Sequence, residues 1–245
     1  MSGPLHDTVT VAPRRSDYGA VRLGRRDIDG LILCAEQYGA PYDLLASALG
    51  AQPARLRGIV ARWRRAGFAA TGRLASGPAW CWLTPGGMAA TGLGYPATRP
   101  SLARLAHIRA VLAARLWLQA GPAWSQGQAW WHSERRIRAA LSRPGVGVGH
   151  VPDAEIHWPS LPGSPYAGQV WAIECELTPK PLARTGRIMT GLLSPPWYAQ
   201  VIYLASPAAR LVVARAAGGL PAGQAARVVV RDLPPSAVTP EGPSS

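Results

Sequence analysis

The sequence predicts an α/β fold in two domains, and three observations lead there. Apolar residues recur at helical spacing in three short stretches between Asp27 and Gly67, and two strand-like stretches follow them. From Trp131 onward, strand-like segments alternate with helical ones after an initial meander, the pattern of a mixed sheet covered on both faces. The third observation is a break in charge, since no Asp or Glu occurs from Leu44 to Ser133 while ten arginines do. A chain of 245 residues is long enough to bury two cores. The boundaries read as a flexible basic arm over 1–24, a first domain over 25–98, a linker helix within 99–128, a second domain over 129–233 and a disordered tail over 234–245.

In the first domain Asp27 reads as a helix N-cap, followed by Ile28, Leu31, Ile32 and Ala35 at helical spacing, with Gly39 as the stop. A second helix runs from Tyr42 to Leu49 and stops at Gly50. Pro53 opens a third, whose inward stripe is Leu56, Ile59, Val60 and Trp63. Arg55, Arg57, Arg62, Arg64 and Arg65 populate its other faces. After Gly67, "FAATGRL" and "AWCWLTP" read as two strands joined by a turn near Ser76-Gly77.

Three short helices and a hairpin follow the order of a winged helix-turn-helix, in which the third helix enters the major groove and the hairpin touches backbone phosphates. The candidate contacts to double-stranded DNA are then Arg55, Arg57 and Arg62 on the third helix and Arg73 in the wing. A helix-turn-helix packing module without DNA has the same order. The formal charge of +13 and the carboxylate-free block are the footprint of a polyanion binder, the alternative being a solvated surface in an arginine-rich composition.

The stretch 101–120 reads as a linker helix capped by Ser101, with Leu102, Leu105, Ile108, Leu112 and Leu116 on one stripe that could also form a homodimer. "SERRIRAAL" reads as a helix capped by Ser133. Three strand-like segments come next, "GVGVGHV", "AEIHW" and "QVWAIECEL". The remainder alternates: helix "PLARTGRIMTGLL", strand "AQVIYLAS", helix "AARLVVARAAG" and strand "ARVVVRDL".

Strand alternation puts Glu174 and Glu176 on one face and Ile173, Cys175 and Leu177 on the other. Asp153 and Glu155 form a similar pair on the preceding strand, so neighbouring strands would gather several carboxylates on one patch. That crowding is costly beside an apolar core unless a cation neutralises it. An all-oxygen set suits a hard ion, Mg²⁺ or Mn²⁺, which could activate a water against a phosphodiester. Lys180, the only lysine in the chain, could stabilise charge on the phosphate. The competing reading is a sheet edge whose acids pair with arginines. His157 shares the face of Glu155, as a proton carrier or a bystander.

Pro152-Asp153, Glu174-x-Glu176 and Lys180, after a helix bearing Glu134, resemble the PD-(D/E)xK nuclease-like fold. The blocks "SERRIR", "HVPDAEI" and "AIECELTPKP", with "QVIYL" after the next helix, are similar to those of the actinobacterial replication-relaxation family of plasmids and mobile elements, over about residues 27–232. The resemblance implies Asp153 and Glu174 as metal ligands and Glu134 as an auxiliary carboxylate; Glu176, on the face of Glu174, is the third candidate ligand from the strand alternation. It implies a second domain built as a restriction-endonuclease-like mixed sheet flanked by helices. The pattern's lysine would fall at position 176, where this chain has Glu176; Lys180, Arg184 or Arg187 would have to reach back in its place. The functions implied are a DNA-binding protein of replication, relaxation or transfer with metal-dependent endodeoxyribonuclease activity, or a non-catalytic DNA-binding regulator with a degenerate nuclease fold. Replication or relaxase proteins are the implied protein partners.

Cys34, Cys81 and Cys175 are far apart in apolar surroundings and read as buried thiols of a reducing compartment. No apolar run reaches membrane-spanning length, and neither arginine pair near the start precedes a signal core, so the expected location is cytoplasmic with no membrane partner. "GVGVG" matches no phosphate-binding fingerprint, and no GxSxG elbow is present.

Overall fold

The structure is a computed structural model that describes residues 22–141, 149–194 and 198–238. Helix α1 (Arg25–Glu36) starts two residues before the expected cap. Gly24 is the N-cap, and Asp27, inside the first turn, accepts the Gly24 N–H at 3.0 Å. The same carboxylate reaches further: Asp27 Oδ1 accepts the Trp63 indole N–H at 2.8 Å and pairs with Arg62. Both of those residues lie on α3 (Pro53–Arg65), so one buried carboxylate fixes α3 against α1. A Cβ on Gly30 of α1 would run into the Trp63 ring, which explains a glycine mid-helix despite its propensity cost.

The expected inward stripe of α3 is buried in full, at Leu56, Ile59, Val60 and Trp63. Between α1 and α3 come the short strand β1 (Ala40–Pro41) and α2 (Tyr42–Ala48). After α3 come β2 (Ala69–Gly72) and β3 (Trp80–Leu83), which pair antiparallel, and β1 adds to β3 to make a sheet of order β1-β3-β2. Helix α4 (Pro85–Thr91) is capped by the Thr84 side chain, which accepts the Gly87 N–H at 3.2 Å.

The stretch expected as a linker is the central helix of the molecule. Ser101 makes no side-chain cap; a 3-10 turn (Leu102–Arg104) leads into α5 (Leu105–Gln119). Residues 108 to 114 of α5 are all buried, a helix enclosed on every side rather than along one stripe. Leu105, Ile108 and Leu112 are buried within the chain, leaving Leu102 exposed, so α5 holds out no continuous apolar face to a second copy. It packs on β1 and α2, on the strand Val170–Glu176 and on the 3-10 turn Pro235–Ala237. Arg109 makes a two-pronged ion pair with Asp43 of α2, at 3.0 and 2.6 Å, and Arg115 reaches Glu36 of α1 at 2.7 Å.

Beyond α6 (Pro122–Gly127), the second half carries β4 (Trp130–Ser133), α7 (Glu134–Leu141), β5 (Ala154–His157), β6 (Val170–Glu176), α8 (Leu182–Leu193), β7 (Gln200–Ala205), α9 (Pro207–Gly218), α10 (Ala222–Ala225) and β8 (Val228–Asp232). Strand order follows the chain, β4-β5-β6-β7-β8, with the first three antiparallel and the last three parallel. The chain is thus α/β with mixed pairing. One face of this sheet, with Ile156, Ile173, Cys175, Ile202 and Leu204, belongs to the same buried apolar cluster as Leu31 and Trp63 of the first half. The other face, with Ala172, Val201, Tyr203 and Ala205, is covered by Met189 and Leu192 of α8 and Val213 of α9.

All three cysteines are buried and unpaired. Among the described residues no helix is long and apolar enough to cross a membrane. The expected arm over 1–24 lies outside the described residues up to position 21, and so does most of the strand expected at "GVGVGHV". Of the expected tail, 239–245 lies outside as well, while Ala237 is buried against the core.

Candidate functional site

The antiparallel register of β5 and β6 places Ala154 against Ile173. Asp153, one residue before that rung, therefore comes up beside Glu174, and its Oδ2 accepts the Cys175 N–H at 2.8 Å. Glu174 and Glu176 share one face of β6, as alternation requires, and both are buried. Glu134 opens α7, whose first backbone N–H bonds the Asp153 carbonyl at 3.1 Å. These acids, with Lys180, His107, His150 and Arg138, line one cleft of about 640 Å³ between the start of α5, α7 and the end of β6. All five second-half residues expected to carry chemistry, Glu134, Asp153, Glu174, Glu176 and Lys180, meet there.

Each carboxylate in the cleft already has a basic partner. His107 Nε2 lies 2.8 Å from Asp153 Oδ1, and His150 Nε2 lies 2.8 Å from Glu174 Oε1. Lys180 Nζ is 2.5 Å from Glu176 Oε2. Glu134 accepts from Arg104 at 2.8 Å and from Arg138 at 2.9 Å. The electrostatics follow from burial. Burial pushes the Glu174 carboxyl up to about 7, with the Asp153 charge adding to it and the hydrogen bond to His150 opposing it. The hydrogen bond to Glu174 raises His150 above its ordinary value against burial. For His107, burial disfavours the proton, but the hydrogen bond and charge of Asp153 outweigh it and raise the pKa. The cleft thus holds a buried acid pushed up to about 7 and two histidines raised above their ordinary value by the carboxylates they contact.

Glu155 does not join this cleft. Further along β5 it accepts from Tyr198 Oη at 2.7 Å and contacts His157 Nε2 at 2.6 Å, with His132 Nδ1 of β4 at 3.9 Å. Burial alone would raise the Glu155 carboxyl, but these hydrogen bonds outweigh it and hold it below its ordinary value. His132 is pushed down to about 4 by burial and by its neighbours His157 and Arg136.

On α3, Arg55, Arg57, Arg64 and Arg65 are exposed, as is Arg73 in the β2–β3 loop. None of the five makes a salt bridge among the described residues. Arg62 differs from the other expected contacts, being partly buried and paired with Asp27. A groove of about 560 Å³ lined by Arg64, Arg65 and Thr71 runs between α3 and β2.

Sequence reasoning passed over His150, Arg104 and Arg138, and read His107 as structural. The partners of His107, His150 and Arg104 lie 24 to 46 residues away, so only the fold brings them together, whereas Arg138 sits four residues from Glu134 on one helix face. The available signal was composition: four of the five histidines lie in the described second half or against it, and all four contact carboxylates. No family model matches the chain, nor does any curated protein or solved structure.

Proposed function

We propose that the chain is a DNA-binding protein in which α1, α2, α3 and the β2–β3 hairpin act as a winged helix-turn-helix, and the second half as a PD-(D/E)xK nuclease-like domain working on the phosphodiester backbone. The observation that carries this reading is the gathering of Glu134, Asp153, Glu174, Glu176 and Lys180 into one cleft. The exposed arginines of α3 and Arg73, with no acid from Leu44 to Ser133 to compete for them, support the DNA-binding half. The motif resemblance supports replication, relaxation or transfer of a plasmid or mobile element as the setting, with replication or relaxase proteins as partners.

The donor set is of the kind a hard divalent ion takes: three carboxylates, two of them buried and one with its pKa raised by burial and by the charge beside it. Their oxygens stand too far apart as found and would have to close on the ion. Asp153, Glu174 and Glu176 would hold Mg²⁺ or Mn²⁺, which supplies a Lewis acid for the phosphodiester and for an attacking water. Lys180, displaced from Glu176, would then face the phosphate, and Arg104 and Arg138 would steer the backbone toward the cleft. His150, its pKa raised by the hydrogen bond to Glu174, would be the proton donor.

A second reading rests on the same contacts. Because every cleft carboxylate already has a basic partner, a degenerate nuclease fold that only binds DNA, in a non-catalytic regulator, accounts for the geometry without any ion. Calorimetric titration of Mn²⁺ into wild type and the Asp153→Asn, Glu174→Gln double variant separates the two, run with and without duplex DNA. Cleft binding lost in the variant, with Mn²⁺-dependent cleavage, supports the nuclease. No cleft binding under either condition, with DNA affinity intact, establishes the regulator.

A further inference from the structure

We propose that His132, Glu155 and His157 form a second metal site, selective for a transition ion of the Zn²⁺ class and separate from the carboxylate cleft. The backbone builds it. Antiparallel pairing of β4 with β5 sets His132 directly opposite Glu155, and His157 lies two residues beyond Glu155, so all three side chains leave the same face. One ligand atom from each lies within 4.8 Å of the others, which holds for no other trio of such residues among those described. Atoms around a tetrahedral zinc ion stand about 3.3 Å apart for bonds of about 2.0–2.1 Å, so the trio needs only a small closure.

The surroundings fit an ion better than a simple hydrogen-bonded pair. Tyr198 Oη donates to Glu155 Oε1 at 2.7 Å, so the carboxylate is oriented from behind and Oε2 is left toward both imidazoles. That is the supporting contact metal ligands ordinarily receive. The two imidazole rings lie 3.9 Å apart, centroid to centroid, so both are brought to one spot beside Glu155. Arg136, whose positive charge bears on His132, is itself exposed. Two imidazoles with one carboxylate favour borderline ions over Mg²⁺ or Ca²⁺. β4 is the edge strand, and the three side chains are 20%, 15% and 29% exposed, so an ion can enter and a water can complete its coordination. Bound there, the ion clips the edge strand to β5.

Co²⁺ serves as a spectroscopic probe of this site, in excess Mg²⁺ to keep the carboxylate cleft out of the readout. Wild type is expected to bind about one equivalent with visible absorption of a low-coordinate Co²⁺ ion, and Zn²⁺ should displace it. Asp153→Asn with Glu174→Gln retains the signal. His132→Asn with His157→Asn weakens binding by more than about 100-fold, and Tyr198→Phe by about 10-fold. His157→Gln is the milder variant should the double substitution unfold, and circular dichroism without metal checks each protein. Absence of the signal in wild type overturns the proposal, as does its persistence without the two histidines or its loss in the cleft variant.

Discussion

Lys180 Nζ lies 2.5 Å from Glu176 Oε2, so the only lysine in the chain neutralises a buried carboxylate four residues before it. Glu176 is buried and Lys180 partly so; removing the lysine leaves a desolvated carboxylate without its counter-charge. Lys180→Met should cost about 1–3 kcal/mol in urea unfolding. Adding Glu176→Gln should recover part of that cost, because the orphaned charge is gone. Full additivity of the two substitutions would mean the pair is not coupled in solution.

Arg55→Ala with Arg57→Ala should weaken duplex DNA binding without loss of stability, and lower the slope of log affinity against log salt by about 2. Arg62→Ala behaves differently, because it also unpairs Asp27, whose carboxyl sits in a buried corner beside Trp63. It should lower stability by about 1–3 kcal/mol as well as any affinity. A Tm for Arg62→Ala equal to wild type would remove the α1–α3 tie from the account.

The pH dependence of stability has a definite sign at Glu174. Its pKa in the fold, about 7, exceeds the ordinary 4.5, so its contribution is fully present below pH 4.5 and is lost as pH rises through 7. That gap corresponds to about 3 kcal/mol. His150, also raised, adds a loss of the same sign above pH 6.5. Glu174→Gln should flatten the decline between pH 4.5 and neutrality, measured as urea midpoints across that range. A parallel decline in wild type and variant would place the titration elsewhere.

Arg135 of α7 is buried between two rings, its guanidinium carbon 4.6 Å from the Tyr38 centroid and 4.9 Å from that of Tyr95. It donates to the Ala35 carbonyl at 2.8 Å and the Pro96 carbonyl at 2.5 Å. Lysine keeps the charge but loses the fork and the stacking, so Arg135→Lys should cost about 2 kcal/mol. Equal denaturant midpoints for the two proteins would show that the stack contributes nothing.

Local periodicity made much of the fold legible. The α3 stripe and strands β5 to β8 emerge as read, because spacing of apolar residues is a property of neighbours in sequence. Strand β4 was hidden because four residues at a sheet edge are too few to show alternation, and α4 because "PGGMAAT" carries two glycines and a proline. The linker reading of α5 missed that Ala110, Ala113 and Ala114 are fully buried; alanine marks a close helix contact as well as a solvent face. For the cleft, alternation placed Glu174 and Glu176 together, and Arg138 answers Glu134 one helical turn along α7, but His107 of α5, Arg104 before it and His150 before β5 reach their acids only through tertiary contact.

Because α5 is the common core of both halves, the α3 surface and the cleft cannot swing independently as beads on a string would. A duplex seated on α3 would meet the cleft at one constant offset, set by a buried helix instead of a tether. If α3 reads DNA as proposed, the molecule would measure distance along it, and any contact or cut by the cleft would fall at a fixed number of base pairs from the site bound at α3.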